Sequence, residues 1–435
     1  MPPEPSPRRT FLKTAASAFT ALSYSRVSGA NNRISIGHVG IGDRGSELAG
    51  IAARLHQKHN TEVTAVCDLW KVNREKAAAH ARSTYGRAPR SFQYLDEMLS
   101  LKDVDAVIVS TADFQHAHHL KMAVDAGKDV YCEKPMANDL EAAKAARDAV
   151  QGSKSIVQIG TQHRSEPYQL AAKKVIDGGA LGQVTKVEMV WNYHGPRWRG
   201  RPEVKEIREE DTDWKRWLLD KPYRPFDPRQ YFEFRLYRDF SSGIAGQWMS
   251  HGIDLMHFFL NDNFPKSVVA HGGIFAWPDG RENPDTFQAL LEYPKGFLIS
   301  YSTSFGNDCD SFSRIMGKRA TMINTGGEGS PRWSVVEEKG NHEDNPFIQR
   351  ASRWVTLPGS DKPGPPFMGD EDLSHMTNWL ECLRSRHQPN ATVFNGYSHS
   401  VAVIMATRAY REGRKLWWDS KNEAIVDSNP EGQAS

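Results

Sequence analysis

The sequence predicts an α/β protein, a doubly wound parallel sheet followed by an α+β region, and three observations predict it. Between residues 33 and 160, short apolar strands alternate with amphipathic stretches of helical period, and strands separated by helices pair in parallel. A glycine-rich turn joins the first strand to the first helix. Beyond residue 161, consecutive strands meet across short turns such as Tyr293-Pro294-Lys295-Gly296, which implies antiparallel hairpins.

Taken in order, the first region reads as strands at 34–39, 63–67, 106–110, 130–132 and 156–159, with helices at 45–56, 72–85, 118–126 and 140–150. A helix at 168–177 and a strand at 184–191 then lead into a long polar and aromatic loop that lasts to about 246. A helix at 251–260 follows, then strands near 267–275, 286–292, 296–304 and 320–323, and closing helices at 370–384 and 398–412. The expected domains are 31–160 and 161–420, with 421–435 as a tail.

The 435 residues are 39% hydrophobic and 25% charged, enough for sizeable cores without metal or disulfide staples. With 55 Lys+Arg against 53 Asp+Glu, bulk charge gives no sign of a nucleic-acid partner. Cys67, Cys132, Cys309 and Cys382 share no CxxC spacing, and the adjacent His118 and His119 lie on different helix faces, so no metal site is expected. No apolar run is long enough to cross a bilayer.

Residues 1–30 read as an address rather than fold. Pro7-Arg8-Arg9-Thr10-Phe11-Leu12-Lys13, a weakly hydrophobic Ala/Ser/Thr stretch at 14–25 and Ser28-Gly29-Ala30 resemble a Tat signal, with Pro7 where Ser or Thr is usual. The competing reading is a disordered basic tail. A Tat signal implies a periplasmic or otherwise exported protein that folds, and can load a cofactor, before export. Arg8, Arg9, Lys13 and Arg26 against Glu4 also account for the slight basicity of the chain.

Gly40-Ile41-Gly42-Asp43-Arg44-Gly45 follows the first strand and opens a helix, the context in which GxGxxG indicates a dinucleotide. Gly40 permits the turn, Gly42 lets backbone approach a pyrophosphate, and Gly45 allows close helix–strand packing. The helix N-terminus offers its N–H groups to the phosphates. Asp68 ends the second strand, where a carboxylate accepts the adenosine ribose hydroxyls and repels a 2′-phosphate, so NAD is favoured over NADP.

Thr111-Ala112-Asp113-Phe114-Gln115-His116 and Glu133-Lys134-Pro135 follow the third and fourth strands, at the strand ends where open α/β sheets bind ligands. These segments, His251-Gly252-Ile253-Asp254, the run from His375 to Arg386 and Trp417-Trp418-Asp419 together resemble the Gfo/Idh/MocA oxidoreductases over nearly all of 33–419, including the exported glucose–fructose oxidoreductase branch. The resemblance implies a Rossmann domain with Thr111, His116 and Glu133 near the cofactor. It further implies a second domain with a large, open, mostly antiparallel sheet that builds a dimer or tetramer interface, and sugars or cyclitols as substrates.

By the same resemblance, Lys134 touches the nicotinamide ribose and the substrate hydroxyl, with Pro135 fixing the turn that aims it. His251 takes the place of a histidine near the substrate carbon, suited to proton transfer near neutral pH. The family usually has Asp four residues before this histidine, whereas this chain has Gln247, which takes no proton. Either His251 and Lys134 do the proton work or another group replaces the Asp. Asp254 is expected to orient or to contact substrate, as are His163, Arg164 and Tyr168. Trp191 and Tyr193, in a stretch of aromatics interleaved with Asn192, His194, Arg197 and Arg199, suit the apolar face and polar edge of a pyranose. Trp214, Trp217 and Trp248 would extend that wall, although each single tryptophan also fits core or interface packing.

The leading expectation is an NAD(P)-dependent oxidoreductase acting on a sugar ring hydroxyl, with its cofactor tightly bound and recycled because free nicotinamide nucleotide is scarce outside the cytoplasm. The alternative is a redox-neutral, NAD-dependent glycosidase or lyase resembling glycoside hydrolase family 109, working through a transient 3-keto intermediate. A third class, a binding protein that keeps NAD for structure, is left open by Gln247 and opposed by Lys134 and His251.

Overall fold

The computed structural model describes residues 32–324, 333–339, 354–356, 370–430 and 432. The export address expected at 1–30 lies outside the described residues.

The first half consists of β1 (Ile34–Val39), α1 (Asp43–His59), β2 (Thr61–Cys67), α2 (Lys71–Tyr85), β3 (Arg90–Phe92), α3 (Leu95–Leu99), β4 (Ala106–Val109), α4 (His116–Asp125), β5 (Asp129–Cys132), α5 (Leu140–Gln151) and β6 (Val157–Ile159). Its six strands run parallel in the order β3-β2-β1-β4-β5-β6. The chain winds outward in both directions from β1 and β4, so a crevice opens between their carboxyl ends, and ligands of doubly wound sheets lie there. β4 reads Ala-Val-Ile-Val and is buried throughout, because helices cover both faces of a parallel sheet. Helix α1 buries Leu48, Ile51, Ala52 and Leu55, one stripe at helical spacing, each large side chain contributing roughly 1.5–3 kcal/mol. It ends at Asn60, whose φ of 48° is the left-handed turn that asparagine tolerates. The sequence pattern did not mark β3, an edge strand of only three residues.

The second half comprises α6 (Pro167–Asp177), β7 (Val184–Val190), α7 (Trp214–Trp217), α8 (Pro228–Phe232), α9 (Ser250–Leu260), β8 (Ser267–Gly273), β9 (Thr286–Tyr293), β10 (Phe297–Ser304), β11 (Phe312–Gly317), β12 (Ala320–Asn324), β13 (Ser334–Glu337), β14 (Trp354–Thr356), α10 (Asp370–Ser385), α11 (Val393–Glu412), β15 (Leu416–Asp419) and β16 (Ala424–Val426). Ten strands form one open sheet, β14-β13-β12-β11-β7-β10-β9-β8-β15-β16, antiparallel except where β7 meets β10. The α/β class with a parallel and a mostly antiparallel sheet is therefore as expected.

Two boundaries differ from the sequence reading. Met376, Trp379, Leu380 and Leu383 of α10, expected in the second domain, join Ile36, Leu48 and Ile108 in the core of the first. The helix is apolar on that stripe and returns to cover the parallel sheet. Residues 424–426, read as tail, pair with β15 as an edge strand.

Candidate active site

At the crevice, Gly40 has φ 80°, and a Cβ there would lie 2.6 Å from the Thr111 backbone nitrogen. A Cβ on Gly45 would sit 2.1 Å from the Gly40 carbonyl oxygen, so β1 and α1 approach as closely as they do only because both residues are glycine. A Cβ on Gly42 would meet nothing within 4 Å. Gly42 caps α1 without any side-chain acceptor, so the first N–H groups of the helix face open space beside it, the arrangement that receives an anion. A cavity of about 1030 Å³ opens here, lined by Gly40, Gly42, Asp68, Thr111, Trp217 and Arg235 among others. These features fit a dinucleotide.

Asp68 lines the cavity and fastens the loop. Its Oδ2 accepts from Ile41 N at 2.7 Å and Asn73 Nδ2 at 3.1 Å, and its Oδ1 from Trp70 N at 2.9 Å. Burial raises its pKa despite those donors. Thr111 lines the same cavity and its hydroxyl meets His119 Nδ1 at 3.0 Å. Asp43, at the start of α1, pairs with Arg201.

Two residues expected on the cofactor have other first duties. His116 is 2% exposed and spends both ring nitrogens on carbonyl oxygens, Pro135 O at 2.8 Å and Thr111 O at 3.0 Å, so it braces the two loops from behind the cavity. The Arg44 side chain turns toward Glu133 Oε1 (2.8 Å) and both oxygens of Asp372 (2.7 and 2.9 Å). Glu133 Oε2 accepts from Lys134 N at 3.1 Å, so Arg44 and Glu133 hold the turn that carries the lysine. The Lys134–Pro135 peptide bond is cis.

Lys134 Nζ donates to Gln247 O at 2.9 Å. Burial lowers its pKa to about 7; Glu133 and Asp113 oppose that shift, and Arg235 and Arg199 add to it. His251, on α9, has its Nδ1 buried without a partner among the described residues. Burial and the neighbouring Lys134 hold its imidazole neutral, well below the usual histidine range. The His251 ring lies 5.2 Å from His163 and 6.3 Å from Trp191, and Trp191 stacks on Trp248 at 5.0 Å and 12°. Trp191 is 37% exposed, so this stacked pair presents an open face beside the histidine.

A π-helical turn, Ala245–Met249, precedes α9 and carries Gln247 into the site. Its Nε2 donates to Asp113 Oδ2 at 2.7 Å, and its Oε1 accepts from Arg235 Nε at 2.8 Å and Arg199 Nη2 at 3.5 Å. Asp113 is fully buried; Ser241 Oγ also donates to Oδ2 at 2.6 Å, while Oδ1 has no partner among the described residues. Burial lowers the pKa of both arginines; Arg235 adds to the shift of Arg199, to about 9, and Arg201 adds to that of Arg235. The sequence reading singled out neither Asp113 nor Arg235, although Asp113 stands in the segment quoted around Thr111.

Other expected substrate contacts fall elsewhere. Arg164 and Asp254 form an ion pair inside the protein, Nε to Oδ2 at 2.7 Å, at 4% and 1% exposure, with His399 Nδ1 3.4 Å from Asp254 Oδ1. Burial pushes the Asp254 carboxyl up, but Arg164 and His399 overcome it and hold the pKa well below the carboxylate range. The pair ties α9 to the turn after β6 rather than facing a ligand. Tyr168 belongs to the hydrophobic core. Tyr193 donates its hydroxyl to Pro196 O at 3.1 Å and packs its ring against Trp248 and Phe305. Trp214 and Trp217 stack on one another at 4.9 Å among Tyr231 and Phe240, apart from the Trp191–Trp248 face. Among the described residues no cluster of His, Cys, Asp or Glu could hold a metal ion, and no helix is long and apolar enough to cross a membrane.

Comparison with known proteins agrees with this geometry. Residues 34–161 match the NAD-binding Rossmann-fold model of the GFO_IDH_MocA oxidoreductases, and residues 219–417 match the C-terminal alpha/beta domain model of that family. The chain is 30% identical over 314 residues to inositol 2-dehydrogenase of Rhizobium meliloti, covering 65% of this chain and 90% of that one. Putative oxidoreductase YteT of Bacillus subtilis is 27% identical over 193 residues, 43% of this chain and 37% of its own length. Inositol 2-dehydrogenase of Salmonella paratyphi B is 30% identical over 205 residues, 45% of this chain. These last two matches thus span about a third to three-fifths of the relatives, 37% and 58%. The fold is shared with levoglucosan dehydrogenase in complex with NADH (TM-score 0.65, 17% identity, 88% of this chain and 98% of that one). It is shared equally with the WlbA dehydrogenase of Bordetella pertussis (TM-score 0.63, 19% identity, 89% and 99%). With both domain models matched in order and an NAD-binding Rossmann domain at its head, the chain belongs to the Gfo/Idh/MocA family of oxidoreductases.

Proposed function

We propose that the protein oxidises or reduces a ring hydroxyl of a sugar or sugar derivative, with NAD as the redox partner. The observation that carries this is Lys134, its pKa lowered to about 7, beside a neutral His251 and joined through Gln247 to Arg235, which lines the cavity that fits a dinucleotide. Bound NAD supplies the carbon that exchanges hydride with the carbinol carbon. The neutral amine of Lys134 donates to Gln247 O and so keeps its lone pair for the hydroxyl proton. His251 presents an uncharged imidazole beside that lysine, and the Trp191–Trp248 stack supports the apolar face of the sugar ring.

The twin-arginine leader supports export, and export in turn supports a cofactor held through many turnovers rather than exchanged. Val269, Leu290 and Leu298 are exposed at 38–43% on adjacent strands of the open sheet, which supports a homo-oligomer built on that face.

The test starts from the purified protein with its bound nucleotide, to which sugars and aryl glycosides are added while the reduced-nicotinamide absorbance is followed. Growth or bleaching of the band with sugars is expected. Catalytic release of an aryl group with no net change would instead establish a redox-neutral glycosidase, and failure to bind NAD would end both. Lys134→Ala should lower turnover by about 10²–10⁴-fold while NAD still binds. Since the lysine must be neutral to accept a proton, the oxidation rate of the native enzyme should rise as pH passes through about 7 and level off above it. A flat profile or an active Lys134→Ala variant refutes the assignment.

A further inference from the structure

We propose that the substrate is an anionic sugar, one carrying a carboxylate, and that Arg199 and Arg235 hold that group over Gln247. The proposal rests on the sugar oxidoreductase function inferred above and names its substrate class. Arg235 Nε and Arg199 Nη2 converge on one neutral oxygen, Gln247 Oε1, at 2.8 and 3.5 Å. Arg199 makes no ion pair among the described residues, and its buried Nε has no partner there. The carboxylate oxygen nearest Arg235 is Asp113 Oδ1, 3.9 Å away and itself without a hydrogen bond. Two guanidinium groups thus converge on an amide, and Asp113 is the one carboxylate ion-paired to either among the described residues.

Nearby arginines show how this fold treats guanidinium groups elsewhere. Arg197 and Arg229 share Glu233, Arg201 pairs with Asp43 and Glu203, and Arg44 holds Glu133 and Asp372. Each of those charges is matched within the protein. Arg199, half-buried with no ion pair among the described residues, meets Arg235, whose one carboxylate lies at 3.9 Å, on a neutral amide. A desolvated charge short of a partner is costly, and the pair therefore implies a counter-ion from outside. Arg199 also sits at φ 62°, a left-handed backbone that non-glycine residues seldom adopt, in a loop held so that its guanidinium reaches Gln247. The planar guanidinium fork matches a carboxylate, which takes two parallel hydrogen bonds.

The anion has two chemical sources, a substrate carboxylate or a cofactor phosphate. Arg235 lines the dinucleotide cavity and Arg199 is absent from its lining, so Arg199 separates them. The experiment is calorimetric binding to the NAD-loaded protein of matched pairs, D-glucose with D-glucuronate and D-galactose with D-galacturonate, together with NAD binding to the stripped protein. At least one uronate should bind about 10- to 100-fold more tightly than its neutral partner, and added salt should weaken only the uronate. Arg199→Gln should abolish the preference and leave the NAD Kd unchanged, while Arg199→Lys, which keeps charge but loses the fork, should retain part of it. Equal binding of acid and neutral sugars by the native protein overturns the proposal and leaves the oxidoreductase function standing. Loss of NAD affinity in Arg199→Gln by the same factor as uronate affinity assigns the anion to the cofactor and also overturns it. Absence of binding by any of the four sugars counts against both the substrate class and the sugar function.

Discussion

The two sides of the crevice are built in different ways. On the cofactor side the working parts are backbone: a turn at Gly40, bare N–H groups after Gly42, and close packing at Gly45, all within six consecutive residues and fixed by Asp68 on the next strand. On the substrate side the working parts are side chains brought from separate stretches: Asp113, Lys134, Arg199, Arg235, Gln247 and His251. A backbone site writes itself into local sequence as glycines at set spacing, whereas a side-chain site depends on which distant segments the fold brings together. Substitutions on the two sides should therefore fail differently.

The largest effect is expected at Arg164. The sequence places it among substrate contacts, and the structure places it in a buried pair with Asp254. Arg164→Ala leaves that carboxylate without its cation and should cost about 3–5 kcal/mol of stability, read from the urea midpoint. The pH dependence has a definite sign. Asp254 has a pKa lowered by folding, so its contribution is present above the ordinary carboxylate value of about 4 and fades as pH falls below it. The variant should lose that acid-side slope. If Arg164→Ala keeps its stability and only KM rises, the residue faces substrate after all.

A paired substitution sharpens the contrast on the cofactor side. Gly45→Ala drives a methyl to 2.1 Å from the Gly40 oxygen and should cost about 1–3 kcal/mol in stability together with NAD affinity. Gly42→Ala adds a methyl to open space at an ordinary φ of −77°, so the thermal midpoint should hold while NAD affinity falls. Equal loss of stability in both variants would show that Gly42 is structural rather than an approach surface.

The same contrast explains how much of the molecule was legible in advance. The strands of the parallel sheet from β1 to β6, apart from three-residue β3, follow from hydrophobic period, and the loop at 40–45 follows from glycine spacing. The Lys134 turn and the His251 helix were legible through family resemblance. The partners of Gln247 were not, because Asp113 is 134 residues away in sequence and Arg235 reaches it from a short turn with no periodic signal. Arg164 misled because a polar residue after a strand end reads the same whether it meets a ligand or, as here, a charge 90 residues away, and its partner Asp254 has the orienting role that was one of its two readings. The membership of α10 in the first core was hidden likewise, since an amphipathic stripe states that a face is buried but not against what.

The smallest effect is expected at Trp191, where the substrate side is most open. Its indole is 37% exposed, stacked on Trp248 and 6.3 Å from the His251 ring, so it touches little of the core. Removing it should leave the urea midpoint nearly unchanged. An aromatic contact of this kind contributes about 0.5–1.5 kcal/mol, which corresponds to a rise in KM of about 2- to 12-fold for Trp191→Ala. Because the stack supports the ring equally before and during hydride transfer, kcat should stay near the native value, and Trp191→Phe should restore most of the affinity. A fall in kcat without a change in KM would mean that Trp191 serves to position His251, and the open aromatic face would then belong to the proton-transfer machinery rather than to sugar binding.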